Sequence, residues 1–585
     1  MRFPISTLHS SAILAVVGLC FAGCNKSTPE DNQLFEDVTV KAGVDFKHIP
    51  GEHEQEFFMP RCVGSGAAFI DFDSDGWLDI YCIQNGGPDS GSTNKIYRQV
   101  DGKFTDVSSG SGIDVDGFAM GTAVGDVNND GKPDLVVSEY GRARLFINET
   151  TAAQPKFRDV SQAAGVRNEL WGTSTCFVDY DRDGWLDIVL VNYVNYDPTR
   201  WCAGRGGTQD YCGPDAFPGR ATRLLHNQGD IDGDGIGDAK FEDVTVSSGF
   251  ADHPAPGLGV FCADFDGDRW PDIFIANDGK PNHLWINQKD GTFKEEAITR
   301  GLGYNSMGDS EADMGIAIGD VNSDGMFDIF VTHLTTETHT LWSQGPRGIF
   351  IDKTATSGIA ATAWRGTGFG TVMADLDNDG DMDLALANGR VTRTPGEPPK
   401  VAEGLDAFWK NYAERDQIIL NDGKGMFIDA SEQNLAVSQL AGVSRGMACA
   451  DFNNDGALDL LITRVSGPPA LLKNTKANSA NWLQVRAVDP KLNRDAYGAE
   501  VYVRTGSRTL MRWVNPGYSY LCSNDPRAHF GLGADTEIAE IKIVWPDGSV
   551  EAFPGGKPNQ QITVMKGEGT PITVDQLSQS DVEIR

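Results

Sequence analysis

The stretch DYDRDGWLD, residues 179–187, gathers four carboxylates at alternate or nearly alternate positions. Carboxylates that close repel one another unless a positive charge sits among them, so such a stretch is either a disordered acidic run or a cage for a cation. Its flanks exclude disorder: TSTCFV before it and IVLVNYV after it are β-branched apolar runs that read as strands. The carboxylates therefore sit in a tight loop between two strands. Calcium takes roughly six to eight oxygen ligands in a tolerant geometry, and the pattern D-x-[DN]-x-D-G-x-x-D supplies them. Asp179, Asp181 and Asp183 alternate toward the ion, Trp185 offers its carbonyl and Asp187 closes the cage. Gly184 suits a turn that needs positive φ.

The pattern occurs seven times, which sets it apart from a solvated Asp-Gly turn. Asp71, Asp73, Asp75 and Asp79 make the first copy, and Asp126, Asn128, Asp130 and Asp134 the second. Residues 179–187 are the third, and Asp264, Asp266, Asp268 and Asp272 the fourth. Asp320, Asn322, Asp324 and Asp328 follow, then Asp375, Asp377, Asp379 and Asp383, and finally Asp451, Asn453, Asp455 and Asp459. The expected cofactor is calcium, about seven ions. Arg269 replaces the glycine in the fourth copy, so a strained or rebuilt turn and the weakest site are expected there. The segment GDIDGDGIGD adds Asp230, Asp232, Asp234 and Asp238, a candidate eighth cage or a solvated turn.

A second phrase interleaves with the first: an aromatic, a polar run and a short loop to glycine, as in KFTDVSSGSGI from 103 and KFEDVTVSSGF from 240. Each unit reads as strand, acidic loop, strand, turn, strand, hairpin, strand. Four short strands at this period make a propeller blade. The aromatic phrase at 34–44 precedes any acidic loop, and the last loop at 451 has no aromatic phrase after it. The start of the chain is thus expected to complete the last blade, which removes exposed sheet edges. The fold class expected is all-β: a seven-bladed β-propeller over 34–476, then a small β-sandwich-like domain over 477–567 and a tail over 568–585.

The blades resemble FG-GAP or VCBS repeats, the propeller unit of integrin α-chains, and that resemblance implies calcium in each acidic loop. NWLQVRAVDPKLNRDAYGAEVYVRTG, HFGLG at 529–533 and IVWPDGSV at 543–550 resemble the ASPIC/UnbV domain that follows such propellers in the cartilage acidic protein family. The first residues resemble a bacterial lipoprotein signal. AILAVVGLCFAG is too short to span a bilayer, and FAGC fits a lipobox. Residues 1–23 would be removed, Cys24 lipidated, and residues 24–33 left as a polar tether. The expected location is the outer membrane or cell surface, with the membrane itself as one partner.

The formal charge of −34 is largely ligand charge, since 25 aspartates lie in the seven loops and seven divalent ions would bring the total to −20. Nucleic-acid binding, which needs a basic footprint, is not expected. Cys202 and Cys212 bracket a loop and are expected to form a disulfide in an oxidising compartment. Cys176, Cys262 and Cys449 read as buried core thiols, while Cys62, Cys82 and Cys522 have no evident partner.

Two long insertions, at 195–220 and 389–416, fall between the second and third strands of blades 3 and 6, opposite the acidic loops. They bring Arg200, Trp201, Arg205, Tyr211, Arg393, Trp409 and Tyr412 to one face, where aromatics and arginines are typical of recognition surfaces. LDAFWKNYAER reads as a short amphipathic helix. Catalytic motifs are not found, so the reading leans away from an enzyme. His333, Glu337 and His339 are weighed as a transition-metal set against a polar hairpin. Two functions remain: a calcium-binding, lipid-anchored binding or adhesion module for a protein or glycan ligand, and a lyase-like polysaccharide-processing enzyme or its accessory.

Overall fold

The computed structural model describes residues 33–51, 57–64, 66–204, 207–394, 397–476, 480–506 and 508–573. The signal, Cys24 and most of the tether lie outside them. Seven four-stranded antiparallel sheets follow one another along the chain. Their first strands, Ala67–Ile70, Ala119–Gly125, Gly172–Val178, Gly257–Ala263, Ile316–Gly319, Gly368–Ala374 and Ser444–Ala450, each pack on the next, and the last packs on the first. The ring is closed and has seven blades.

These inner strands are built from small and β-branched residues and are buried along their length. Glycine is required where neighbouring inner strands approach most closely. A Cβ on Gly315 would run into the Phe369 carbonyl, and one on Gly370 into the backbone of Arg445 to Met447. The fourth strands show one buried aromatic followed by exposed residues, because they form the rim.

The closing strand is where the order of the phrases puts it. Phe35–Asp37 pairs antiparallel with Ala470–Asn474, with Phe35 opposite Asn474. Deleting residues 34–44 is therefore expected to bare an edge of the seventh sheet and cause aggregation, read by size-exclusion chromatography. A soluble monomer with an unchanged melting curve would refute that role.

The C-terminal domain stacks two sheets around Leu483, Val485, Val501, Val503, Phe530, Ile541, Ile543 and Trp545. Thr570–Pro571 adds a strand beside Val550–Gly556, so the sheet extends past the expected boundary at 567.

One loop of this domain, Asn515–Asp525, fills the propeller channel and bonds to the inner strand of every blade. Phe69 N–H donates to Ser523 O (3.1 Å), Thr122 N–H to Leu521 O (3.2 Å) and Leu521 N–H to Ser174 Oγ (3.3 Å). Asn515 Nδ2 donates to Cys262 O (2.9 Å), and Ile316 exchanges two backbone bonds with Ser519. Thr371 N–H donates to Ser519 Oγ (3.1 Å) and Cys449 N–H to Asn524 Oδ1 (2.9 Å). The seven inner strands thus satisfy their channel-facing groups on one segment of sequence-distant chain.

Candidate metal centres and the channel mouth

Each acidic loop is held by its own aspartates before any ion is considered. In blade 2, Asp126 accepts the Asp130 and Gly131 N–H groups (3.1 and 2.8 Å), Asn128 accepts Asp130 N–H (3.2 Å) and Asp130 accepts Lys132 N–H (3.0 Å). Blades 5 and 7 repeat this set. The fourth and sixth residues of every loop take positive φ, as in Asn129 (56°) and Gly131 (86°). Blade 4 exchanges them: Gly267 stands fourth (85°) and Arg269 sixth (75°). Its turn is strained, as expected, but not rebuilt, for Arg269 N–H still donates to Asp264 (2.9 Å).

The ninth aspartate spans two strands. Asp134 accepts Val127 N–H (3.0 Å) from the loop and Asn148 N–H (2.8 Å) from the third strand. Asn148 then donates its side-chain amide to Phe72 O of the preceding blade (2.9 Å). Asn227, Asn287, Gln344, Asn421 and Asn474 do the same to Val127, Tyr180, Phe265, Val321 and Leu376. Gln99 donates to Phe452 O, which completes the circle. These amides tie every loop to the next blade. Sequence reasoning missed them, although an Asn or Gln recurs at one place in each third strand.

Among the described residues, four carboxylate oxygens of the loops are buried with no donor: Asp73 Oδ1, Asp179 Oδ1, Asp375 Oδ1 and Asp459 Oδ2. Carboxylate oxygens of Asp71, Asp73 and Asp79 converge within 4.8 Å, as do those of Asp179, Asp181 and Asp183 and of Asp264, Asp266 and Asp272. Orphaned, converging anionic oxygens are what a hard divalent cation satisfies, so the residues fit calcium. Asp230, Asp232 and Asp234 converge likewise, and Asp238 accepts the Ile231 and Asp232 N–H groups (2.9 and 3.3 Å), as a ninth residue does. This hairpin has the same turn as the blade loops. In blade 1, Arg98 already pairs with Asp73 and Asp75, at 2.6 Å each.

Burial pushes the ninth carboxyl groups up: Asp79 to about 9, Asp187 to about 8 and Asp328 to about 7, with Asp134, Asp272, Asp383 and Asp459 also well above the usual carboxylate range. The cation-free folded chain then holds more protons than the unfolded chain between about pH 4 and the raised values. Its stability must fall as pH rises through that window. Metal-free protein is expected to melt lower at pH 8 than at pH 5, with calcium reversing the difference. A metal-free melting temperature that rises with pH would contradict this.

The C-terminal domain lies on the loop face and grips loop carbonyls with its cations. Arg494 donates to Gly184 O (3.1 Å), Arg512 to Gly380 O (3.1 Å) and Arg527 to Asp451 O (2.9 Å). Arg508 reaches Asp379 O, and Gly531 N–H donates to Asp375 Oδ2 (2.9 Å).

At the opposite mouth the two insertions meet, but they do not make the open surface expected of them. Trp409 and Tyr412 are fully buried, and Tyr211 is 7% exposed. Tyr211 stacks on Trp409 (5.9 Å), Tyr412 Oη donates to Asp210 (2.6 Å) and Arg393 bonds to Gln209 and Asp210. With Met59, Val63 and Tyr520 they cap the channel. The reason is apolar area: these rings exclude more water against each other and the plug than against solvent. LDAFWKNYAER forms a 3₁₀ helix over Ala407–Tyr412. Arg200 and Trp201 remain exposed, Arg393 is half-buried, and Arg205 lies outside the described residues. Cys202 and Cys212 are disulfide-bonded. Cys176 and Cys262 are buried thiols with sulfurs 3.2 Å apart.

Glu337 and His339 are engaged by backbone N–H groups. His339 Nδ1 accepts His333 N–H (2.9 Å), Glu337 accepts the Ala312 and Leu334 N–H groups, and His333 lies between Glu311 and Asp313, 3.7 Å from each.

Residues 71–137, 126–190, 264–331 and 320–386 match the FG-GAP-like repeat family, and residues 489–571 match ASPIC and UnbV. Cartilage acidic protein 1 of Mus musculus is 26% identical over 527 residues, which cover 84% of this chain and 72% of that protein. The Xenopus tropicalis protein is 24% identical over 577 residues, covering 94% and 78%, and the Homo sapiens protein 25% over 529, covering 84% and 70%.

Proposed function

We propose that this chain, an FG-GAP-like repeat protein with a C-terminal ASPIC and UnbV domain and a homologue of cartilage acidic protein 1, is a calcium-loaded, non-enzymatic adhesion or capture module of the cell envelope. The observation that carries the reading is the acidic loop itself, one turn repeated around the ring with carboxylate oxygens that lack donors. Calcium supplies positive charge at these loops when bound. The chain's own residues hold the turns ready for it, and the ring of amides passes the order of each loop to its neighbour. Export fits the Cys202–Cys212 disulfide, and an N-terminal lipid anchor on Cys24 would tether the module to a membrane.

The ligand is a protein or glycan, engaged by the exposed rim of the capped mouth, where Arg200 and Trp201 project beside the disulfide. The test screens calcium-loaded protein against acidic glycans and envelope proteins, recording binding together with the ultraviolet absorbance that eliminative cleavage creates. Binding without absorbance is expected, weakened by roughly 1 kcal/mol or more in Trp201→Ala at unchanged thermal stability. Absorbance growing with time would replace this reading with a lyase. Equal capture by Trp201→Ala would move the ligand to another face.

A further inference from the structure

The residue just before the tying Asn or Gln of each third strand differs from blade to blade. It is Arg98 in blade 1, Ile147 in blade 2, His226 in blade 3, Ile286 in blade 4, Ser343 in blade 5, Leu420 in blade 6 and Lys473 in blade 7. Arg98 and Lys473 reach loop carboxylates, at 2.6 Å to Asp73 and 3.1 Å to Asp455. This position therefore helps decide what the loop's oxygens face. In blade 3 it brings an imidazole, which offers a nitrogen lone pair to a metal once its proton is displaced.

His226 Nδ1 lies 3.4 Å from Asp181 Oδ2 and 3.3 Å from Asp187 Oδ1, and the three atoms fall within 4.8 Å of one another. That nitrogen is buried and faces these two carboxylates. Asp179 Oδ1, in the same loop, is buried without a donor as well. Tyr180 packs edge-on against the imidazole, with ring centroids 6.0 Å apart. Asp187 is fully buried, and its oxygens accept the Asn227 and Tyr180 N–H groups (2.8 and 3.1 Å).

We infer that the blade 3 loop is a mixed nitrogen and oxygen site that takes a first-row transition ion of the zinc type in preference to calcium. Calcium is hard and gains little from imidazole, whereas zinc binds imidazole and carboxylate together. One imidazole from His226 with carboxylates from Asp181 and Asp187 gives zinc three protein ligands, and the unpaired Asp179 Oδ1 of the same loop is the candidate fourth. The inference rests on the loops being divalent-cation sites, and it differs from the proposed function in the identity of one ion.

Zinc is the probe. Full-length protein saturated with calcium receives one equivalent of Zn²⁺, is desalted into calcium buffer and is assayed for both metals. Wild type is expected to keep about one zinc, while His226→Leu, which places in blade 3 the residue type of blade 6, binds zinc roughly tenfold or more weakly with its other calcium retained. Cobalt in place of zinc should give a nitrogen-coordinated spectrum in wild type and lose it in the variant. His226→Ser, after Ser343 of blade 5, is read beside it in case His226→Leu does not fold. Wild type that keeps no zinc against calcium overturns the inference and leaves an imidazole that fills the loop itself, as Arg98 does in blade 1. Equal zinc retention by a folded His226 variant overturns it too. Absence of calcium from every loop would instead sink the proposed function, and the zinc measurement reads independently of it.

Discussion

Replacing Pro516–Ser523 with a glycine–serine linker of equal length is expected to leave the propeller unable to close. The segment bonds to inner strands of five of the seven blades, and its Tyr520 and Leu521 are buried in the mouth cluster. Removing it strands backbone N–H and C=O groups in the channel, each costing about 1–3 kcal/mol if water does not reach it. Tyr520→Ala alone should cost about 3–5 kcal/mol, as other large-to-small aromatic changes in cores do. Tyr520 Oη also donates to Val63 O (3.0 Å), so that carbonyl would lose its donor. Expression yield, size-exclusion profile and melting temperature check the linker variant. A soluble monomer with wild-type melting would show that the ring closes without its axle.

Chelation is expected to produce the second largest effect, a cooperative fall in melting temperature. At a free calcium about tenfold above the dissociation constant, each site contributes about 1.4 kcal/mol by mass action, and the six loops other than that of blade 3 about 8 kcal/mol. For a chain of this size that corresponds to a shift of about 7 °C. The loops also carry the carbonyls gripped by Arg494, Arg512 and Arg527, so loosening them should free the C-terminal domain along with the blades. One transition, not two, is expected in excess EGTA. An unchanged curve would remove calcium from the account. Asp324→Ala in the blade 5 loop tests the point locally: a stability loss in calcium that disappears in EGTA marks Asp324 as a ligand.

The repeats were legible because their information is local. Alternate aspartates, a residue at positive φ and β-branched flanks lie within about fifteen residues of one another, and seven copies turned a weak motif into a strong one. Closure was legible too, since Phe35 repeats the aromatic that opens every other fourth strand. Arg269 showed where the fourth loop would be strained, but not that Gly267 would take over one of its two left-handed positions. The amides at Asn148, Asn227 and their equivalents recur visibly; their role was not legible because their acceptors lie in another blade.

The sequence by itself determined the blade, the number of its copies, the acidic loops and the order in which strands close the ring. Tertiary structure alone decided what fills the channel and what faces the solvent. Trp409 and Tyr412 have the composition of a recognition surface, and only their neighbours Asp210, Tyr211 and Tyr520 turn them into a buried cap. The segment NPGYSYLCSND carries no period and no motif, yet it meets strands as far away as Phe69, 454 residues before Ser523. Periodicity reports which side of a strand is buried, because successive side chains alternate between faces. What that side is buried against is set by apolar area and unpaired backbone groups that meet only when the distant parts of the chain come together.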